Sequence, residues 1–323
     1  MSETLTGLIE ASDLVGLVAY VERLVREGDW DGLVELRDRC REAVERGKQV
    51  WGPAEYAEYR LALDAPAAYA GRVVAEGKGR YGHGPLWEVA ASTHRFSDLA
   101  PHLESPRVRA LVAHERVIRG EEIDEGAGDP VIPLPLRLGS WEPTYAVADY
   151  GPDRVDFPEP GGTEPVWEEL GDAGEPIPDD GPAAALLELV RPWWDESSGK
   201  AECVAVAGDA RGAIRALGPR RVRISEVSAT EAVAHMAWAA ASGGAYGRRR
   251  GTPIGRLNAW WVVAELLGYE DLPDDPEVFA EELGELRWYR WDPGDRIGGW
   301  GLHVAIEDPA EGFAWALSAV DAR

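Results

Sequence analysis

The chain changes its hydrophobic period once, near residues 121–130, and that change limits the fold more than any other feature. Before it, apolar residues recur three and four positions apart, as in Leu14, Leu17, Val18, Val21, Leu24 and Val25, the stripe of an amphipathic helix. After it come short apolar runs separated by turn residues, the pattern of strands alternating with helices. A chain of 323 residues has room for two cores. The expected fold class is therefore α+β in several domains. Residues 1–122 form an N-terminal all-α bundle or helical-hairpin domain. Residues 123–200 form an acidic Pro/Gly-rich connecting segment with short strands, and residues 201–323 a small α/β domain with a mixed sheet.

Breakers divide the first part into six or so helices. Gly28 closes one and Asp31 opens the next, which runs to Gly47; Pro53, Pro66, Pro85 and Ser105–Pro106 open the others, one of them ending at Gly77. In the connecting segment, Val131–Leu138, Thr144–Tyr150 and Asp153–Phe157 read as strand pieces whose prolines suit an edge. Pro182–Val190 reads as a helix. In the last part a strand, a polar turn and an Ala-rich helix recur three times: Val204–Ala207 with Asp209–Leu217, Val222–Ser225 with Thr230–Ala241, and His303–Ile306 with Asp308–Val320. Thr230 and Asp308 stand where a helix N-cap belongs. A helix over Pro253–Gly268 and a hairpin of Leu286–Trp291 with Trp300–Ile306 complete the reading.

Charge reverses along the chain. Residues 121–200 carry 20 Asp or Glu against 4 Lys or Arg, whereas residues 204–264 carry 9 Arg against only Asp209, Glu226 and Glu231. A basic island in a chain of net charge −25 points to anion recognition or to docking on an acidic surface, the chain's own middle segment included. The acidic balance excludes a general nucleic-acid binder and a protein held on anionic membrane. Apolar runs such as Val233–Ala241 are too short to span a bilayer, and no signal peptide is evident. Cys40 and Cys203, the only cysteines, lack metal or disulfide spacing, so a cytoplasmic setting is expected.

The sharpest local signal is SGGAYGRRRGTPIGRLNAWW. Gly243, Gly244, Gly247 and Gly251 free the backbone, Arg248, Arg249 and Arg250 add charge, and Thr252–Pro253 starts a helix on which Arg256 lies one turn in. Donor groups at a helix N-terminus beside guanidinium forks suit a phosphate, a carboxylate or an acidic peptide. The same residues also fit a loop whose arginines pair with acids from residues 121–200. The turn AVAGDARG is a second, weaker phosphate-facing candidate. In LRWYRW, alternation puts Trp288 and Arg290 on one face, and with Trp300 they form an aromatic partner-binding candidate. His83, His94, His102 and His114 lack metal-ligand spacing, and His235 and His303 stand alone. No metal, cofactor or catalytic residue is assigned, since Walker A, GxGxxG, GxSxG and HExxH patterns are all missing.

The block WGPAEYAEYRLALDAPAAYAGRVVAEG and the closing GWGLHVAIEDPAEGFAWALSAVDA resemble uncharacterised conserved proteins of high-GC actinobacteria, over most of the chain. The resemblance implies a bacterial cytoplasm and carries over no residue role. The function expected from the residues is a non-enzymatic interaction or adaptor protein whose basic Arg/Gly loop meets an acidic protein partner. The alternatives are an enzyme or binding domain for a phosphate-bearing small molecule, and an acidic toxin antagonist using residues 121–200.

Overall fold

A computed structural model describes residues 2–76, 84–124, 132–178, 181–294 and 298–322. Chain contacts divide it into two compact units, one of residues 1–131 with 148–156, the other of residues 132–147 with 157–323. The expected helix end at Gly77, together with His83, Val131 and Asp179–Asp180, lies outside the described residues.

The first unit is helical over its long stretch, as the period predicts. Its helices are α1 (Ser2–Ala11), α2 (Leu14–Glu27), α3 (Trp30–Glu45), α4 (Trp51–Asp64), α5 (Ala67–Glu76), α6 (Leu86–Thr93), the single turn α7 (Phe96–Leu99) and α8 (Pro106–Ile118). The punctuation works locally: Asp13, Asp29 and Ser105 accept from the backbone of the first turn of α2, α3 and α8, and Gly28 closes α2 in the left-handed conformation at φ 67°. The α3 start moves one residue before Asp31, to Trp30, because Asp29 is the capping side chain.

A short hairpin, β1 (Asp149–Tyr150) with β2 (Val155–Asp156), belongs to this unit. Tyr150 donates its hydroxyl to buried Glu88 at 2.7 Å, and Tyr59 donates to the Gly151 carbonyl at 2.7 Å.

The second unit is built on seven strands in the order β3-β6-β7-β8-β9-β5-β4. These are β3 (Val166–Glu169), β4 (Glu175–Pro176), β5 (Lys200–Ala207), β6 (Arg221–Val227), β7 (Arg287–Asp292), β8 (Gly299–Asp308) and β9 (Phe313–Ala322). Every pairing is antiparallel, so the expected mixed sheet is corrected. The reason lies in strand order. β5 and β6, joined through α10 (Ala210–Ala216), do run the same way, but β9, β8 and β7 are inserted between them.

Two of the three strand–turn–helix copies fold as such, β5 into α10 and β6 into α11 (Ala229–Ala241). The α11 cap is Ser228, which accepts from Glu231 N, while Thr230 donates to the Trp141 carbonyl. The third copy is corrected: Asp308 holds a tight turn through Ala310 N and Glu311 N, and the Ala-rich run after it is strand β9. The run lacks polar alternation because both its faces are covered. On one face α10 packs over Val206, Ile224, Tyr289, Trp291 and Ala305. On the other, α9 (Pro182–Asp195) meets β5 and β9, α11 meets β7 and β8, and α12 (Thr252–Leu266) packs on α9 and α11.

The segment VIPLPLRL is not a strand over its described residues. Pro133 and Pro135 remove two ladder donors, and its carbonyls turn instead to Arg256.

Candidate functional site

Arg248, Arg249, Arg250, Thr252 and Arg256 do not converge on one space. Arg256 is wholly buried and grips Glu142 with both arms, Nε to Oε2 at 2.7 Å and Nη2 to Oε1 at 2.8 Å. It also donates to the carbonyls of Pro135 at 3.0 Å and Arg137 at 2.8 Å. Burial alone raises a carboxyl pKa, but the Arg256 contacts outweigh it and hold Glu142 below its usual range.

Arg250 pairs with Glu196 at 2.8 Å. Arg249 reaches Thr252 Oγ1 at 3.2 Å and lies 4.7 Å from the Phe157 ring centre, beside a helix start that is itself buried. Gly251, at φ 93°, lets the chain turn into that helix. Arg248 alone faces solvent without an ion pair among the described residues. The AVAGDARG turn is likewise occupied, since Ala210 N donates to Glu307 Oε2 at 3.2 Å.

The aromatic candidates separate too. Trp288 is buried and donates its indole N–H to the Leu283 carbonyl at 3.3 Å. Arg290 shares its sheet face and, among the described residues, reaches Glu231 at 3.5 Å. Trp300 stacks on Trp238 with ring centres 4.6 Å apart.

A different place gathers polar groups. β7 and β8 are paired only from Arg287↔Glu307 to Arg290↔Val304, although β7 runs on to Asp292 and β8 begins at Gly299. Past that point each strand pairs only with its outer neighbour, β7 with β6 and β8 with β9. At the split the rings of Trp291 and His303 meet at 4.7 Å, and the Trp291 indole N–H is 3.4 Å from the Val304 carbonyl.

The opening is a cleft of about 550 Å³, lined among others by Arg223, His235, Arg290, Asp292, His303 and, at its rim, exposed Glu159. Three buried polar atoms there, Arg223 Nε, His235 Nε2 and His303 Nδ1, have no hydrogen-bond partner among the described residues. Native interiors rarely leave such atoms unpaired.

Asp292 and Glu231, beside the cleft, are by contrast engaged. Asp292 pairs with Arg223 through Oδ2 and accepts from Gly294 N at 2.6 Å through Oδ1. Glu231 accepts from Thr163 N at 2.8 Å and Thr163 Oγ1 at 3.0 Å, besides Arg290. Burial pushes His235 down to about 4 and the Arg290 charge adds to this, against weaker upward pulls from Glu231 and the Gly161 backbone. Burial likewise takes His303 to about 4, opposed by Asp292. Both imidazoles are neutral at pH 7.

The cleft residues escape sequence reasoning because they come from four elements and share no motif. His235 and His303 read as isolated until the sheet register and α11 bring them to one opening. The usable signal is the cluster Gly294, Gly298, Gly299 and Gly301, four small residues flanking Trp300 where a hairpin would want side chains. Among the described residues no three His, Cys, Asp or Glu gather as a metal set, and no helix is long and apolar enough to cross a membrane.

Neither a curated protein nor a solved structure matches this chain. One family model fits residues 15–322, from the start of α2 to the end of β9. By that match over nearly its whole length, the chain belongs to the family described as a family of unknown function, DUF6183.

Proposed function

We propose that the second unit binds a small polar molecule in the cleft between β7 and β8. The observation that carries this reading is the split itself, where a sheet ladder stops four pairs in and three buried polar atoms are left unpaired around about 550 Å³ of space. Leaving such atoms unpaired costs roughly 1–3 kcal/mol each, which a bound molecule with matching groups would recover. The test uses an occluding variant. Gly301 lines the cleft at an ordinary backbone angle, and a Cβ there meets only His303 Nε2 at 4.0 Å. Gly301→Leu therefore puts a side chain into the opening beside His303 with no clash at its Cβ. Melting-temperature screening against neutral sugars, polyamines, carboxylates and phosphates should find a class that stabilises the wild type and not Gly301→Leu. Equal stabilisation of both proteins by every active class removes the cleft reading.

A second reading, docking of an acidic protein partner as an adaptor, draws support from one surface loop. Tyr246 is 66% exposed beside exposed Arg248, on a loop tied down by Ser197 Oγ and by Asp321 Oδ2. A fixed Tyr–Arg pair is the chemistry of an interface anchor. Its test is a Tyr246→Ala/Arg248→Ser variant, which should melt like the wild type and lose the partner that the wild type binds. The reading places the protein in a reducing cytoplasm of a high-GC actinobacterium, in keeping with two cysteines outside any disulfide and 30 Arg against 3 Lys.

A further inference from the structure

Resting on the cleft reading, we infer that the group held between β7 and β8 is an oxyanion, a carboxylate or a phosphate, gripped by Arg223, Arg290 and His235. The inference comes from counting what is left over. Asp292 spends both oxygens on Arg223 and Gly294 N, and Glu231 spends both on Thr163 and Arg290. The donors are under-used. Arg223 keeps a buried Nε–H, which can only donate. Arg290 reaches its one carboxylate partner at 3.5 Å, the outer limit of a hydrogen bond, so most of its five N–H donors remain for something else.

His235, only 3% exposed, adds an unpaired Nε2 on the α11 side of the same opening. It is neutral there because burial, and then the Arg290 charge, oppose protonation, and its Nε2 donates to an anion in the tautomer that carries the proton on that nitrogen. The strand register sets the spacing. Arg223 pairs across with Asp292 and Ser225 with Arg290, so the two guanidiniums sit diagonally on one sheet face, each beside the cleft. An oxyanion between them meets two guanidiniums and an imidazole, and needs no carboxylate to give up a bond. Among the described residues a cation would find Glu159, exposed at the rim, and Asp292, whose oxygens already serve Arg223 and Gly294 N.

The experiment is titration calorimetry at constant ionic strength with inorganic phosphate, succinate, glucose and putrescine. It uses the wild type, Arg223→Met, Arg290→Met, Gly301→Leu and, as a charge control, Arg248→Ser. Binding is read rather than melting temperature alone, because phosphate stabilises many proteins by exclusion from their surface. The expected result is saturable binding of phosphate or succinate, weakened at least tenfold in Arg223→Met, Arg290→Met and Gly301→Leu and unchanged in Arg248→Ser. The stronger arm identifies the source as phosphate or carboxylate.

Should Arg223→Met fail to fold, the Arg290→Met and Gly301→Leu results decide. Glucose or putrescine binding that Gly301→Leu abolishes, without anion binding, overturns the oxyanion and keeps the cleft. Anion binding that survives in Arg290→Met and Gly301→Leu overturns this inference, and loss in Arg248→Ser moves it to the arginine loop. Absence of binding by all four probes overturns it as well.

Discussion

Replacing Arg256 by Met should strongly destabilise the second unit, and the size of the effect can be worked from the contacts. The guanidinium makes two buried bonds to Glu142 and part-buried ones to the Pro135 and Arg137 carbonyls. Met fills most of the volume, so the packing loss is small. The damage is a buried carboxylate that keeps the Gly139 N–H at 2.9 Å and the Tyr145 hydroxyl at 2.5 Å but loses its guanidinium. Breaking one side of a buried pair costs about 3–5 kcal/mol, equivalent to roughly 6–20 °C in a unit of this size. The assay is urea unfolding followed by tryptophan fluorescence, taking the transition of the second unit alone.

The pH dependence gives an independent check on sign. In the wild type Glu142 is held low, so its contribution is present above the unfolded carboxyl pKa and is lost as pH falls through the folded value. In the variant, burial acts without Arg256 and raises that carboxyl, so acid relieves the buried charge. The gap between the two proteins must therefore narrow from pH 7 towards pH 4. A companion Glu142→Gln/Arg256→Met variant should recover part of the loss. A single variant within about 1 kcal/mol of the wild type, with no narrowing in acid, would refute the buried-pair argument.

Three further outcomes are expected. Trp260→Ala should cost about 3–5 kcal/mol because the ring is fully buried against Trp141 and Phe279. Trp261, 39% exposed, should lose less than about half of that, both read by denaturant midpoints. His235 and His303 have folded values near 4 against 6.5 unfolded, so the unfolded chain binds more protons between those limits and stability rises with pH across that window. His235→Asn should flatten the slope between pH 6.5 and 4, where one such group supplies up to about 1.4 kcal/mol per pH unit; equal slopes in variant and wild type would contradict the assignment. Arg250→Ser, which breaks a half-exposed pair with Glu196, should cost at most about 1 kcal/mol, and Arg248→Ser less than about 0.5 kcal/mol, by thermal unfolding.

The helical half was legible because each of its signals is local. Stripes at three and four, Asp or Ser caps and Gly or Pro stops act within one or two turns, and α2 to α6 and α8 follow them closely, whereas the single turn α7 carries no such signal. The sheet was legible as strands and less so as a sheet, because strand order depends on partners up to 120 residues apart, as when Lys200 pairs with Val320. Ala314, Ala316 and Ala319 read as helix formers in isolation, yet they are buried strand positions in a layer covered on both faces. The arginine loop shows the limit of counting charges: Arg256 has the same formal charge as Arg248, and only the fold makes one a buried tie and the other a solvated tip. For the cleft, sequence offers a run of glycines and nothing about the polar groups that the split exposes.

The claim on which the rest depends is that the split between β7 and β8 is a binding site, and a crystal structure grown with the tightest-binding anion tests it most directly. The account predicts non-protein density in the cleft within hydrogen-bond distance of Arg223 Nε and His235 Nε2, with the β7–β8 ladder still ending at Arg290↔Val304. A ladder that continues to Asp292↔Leu302, with the opening closed or filled by the protein's own side chains, would contradict it.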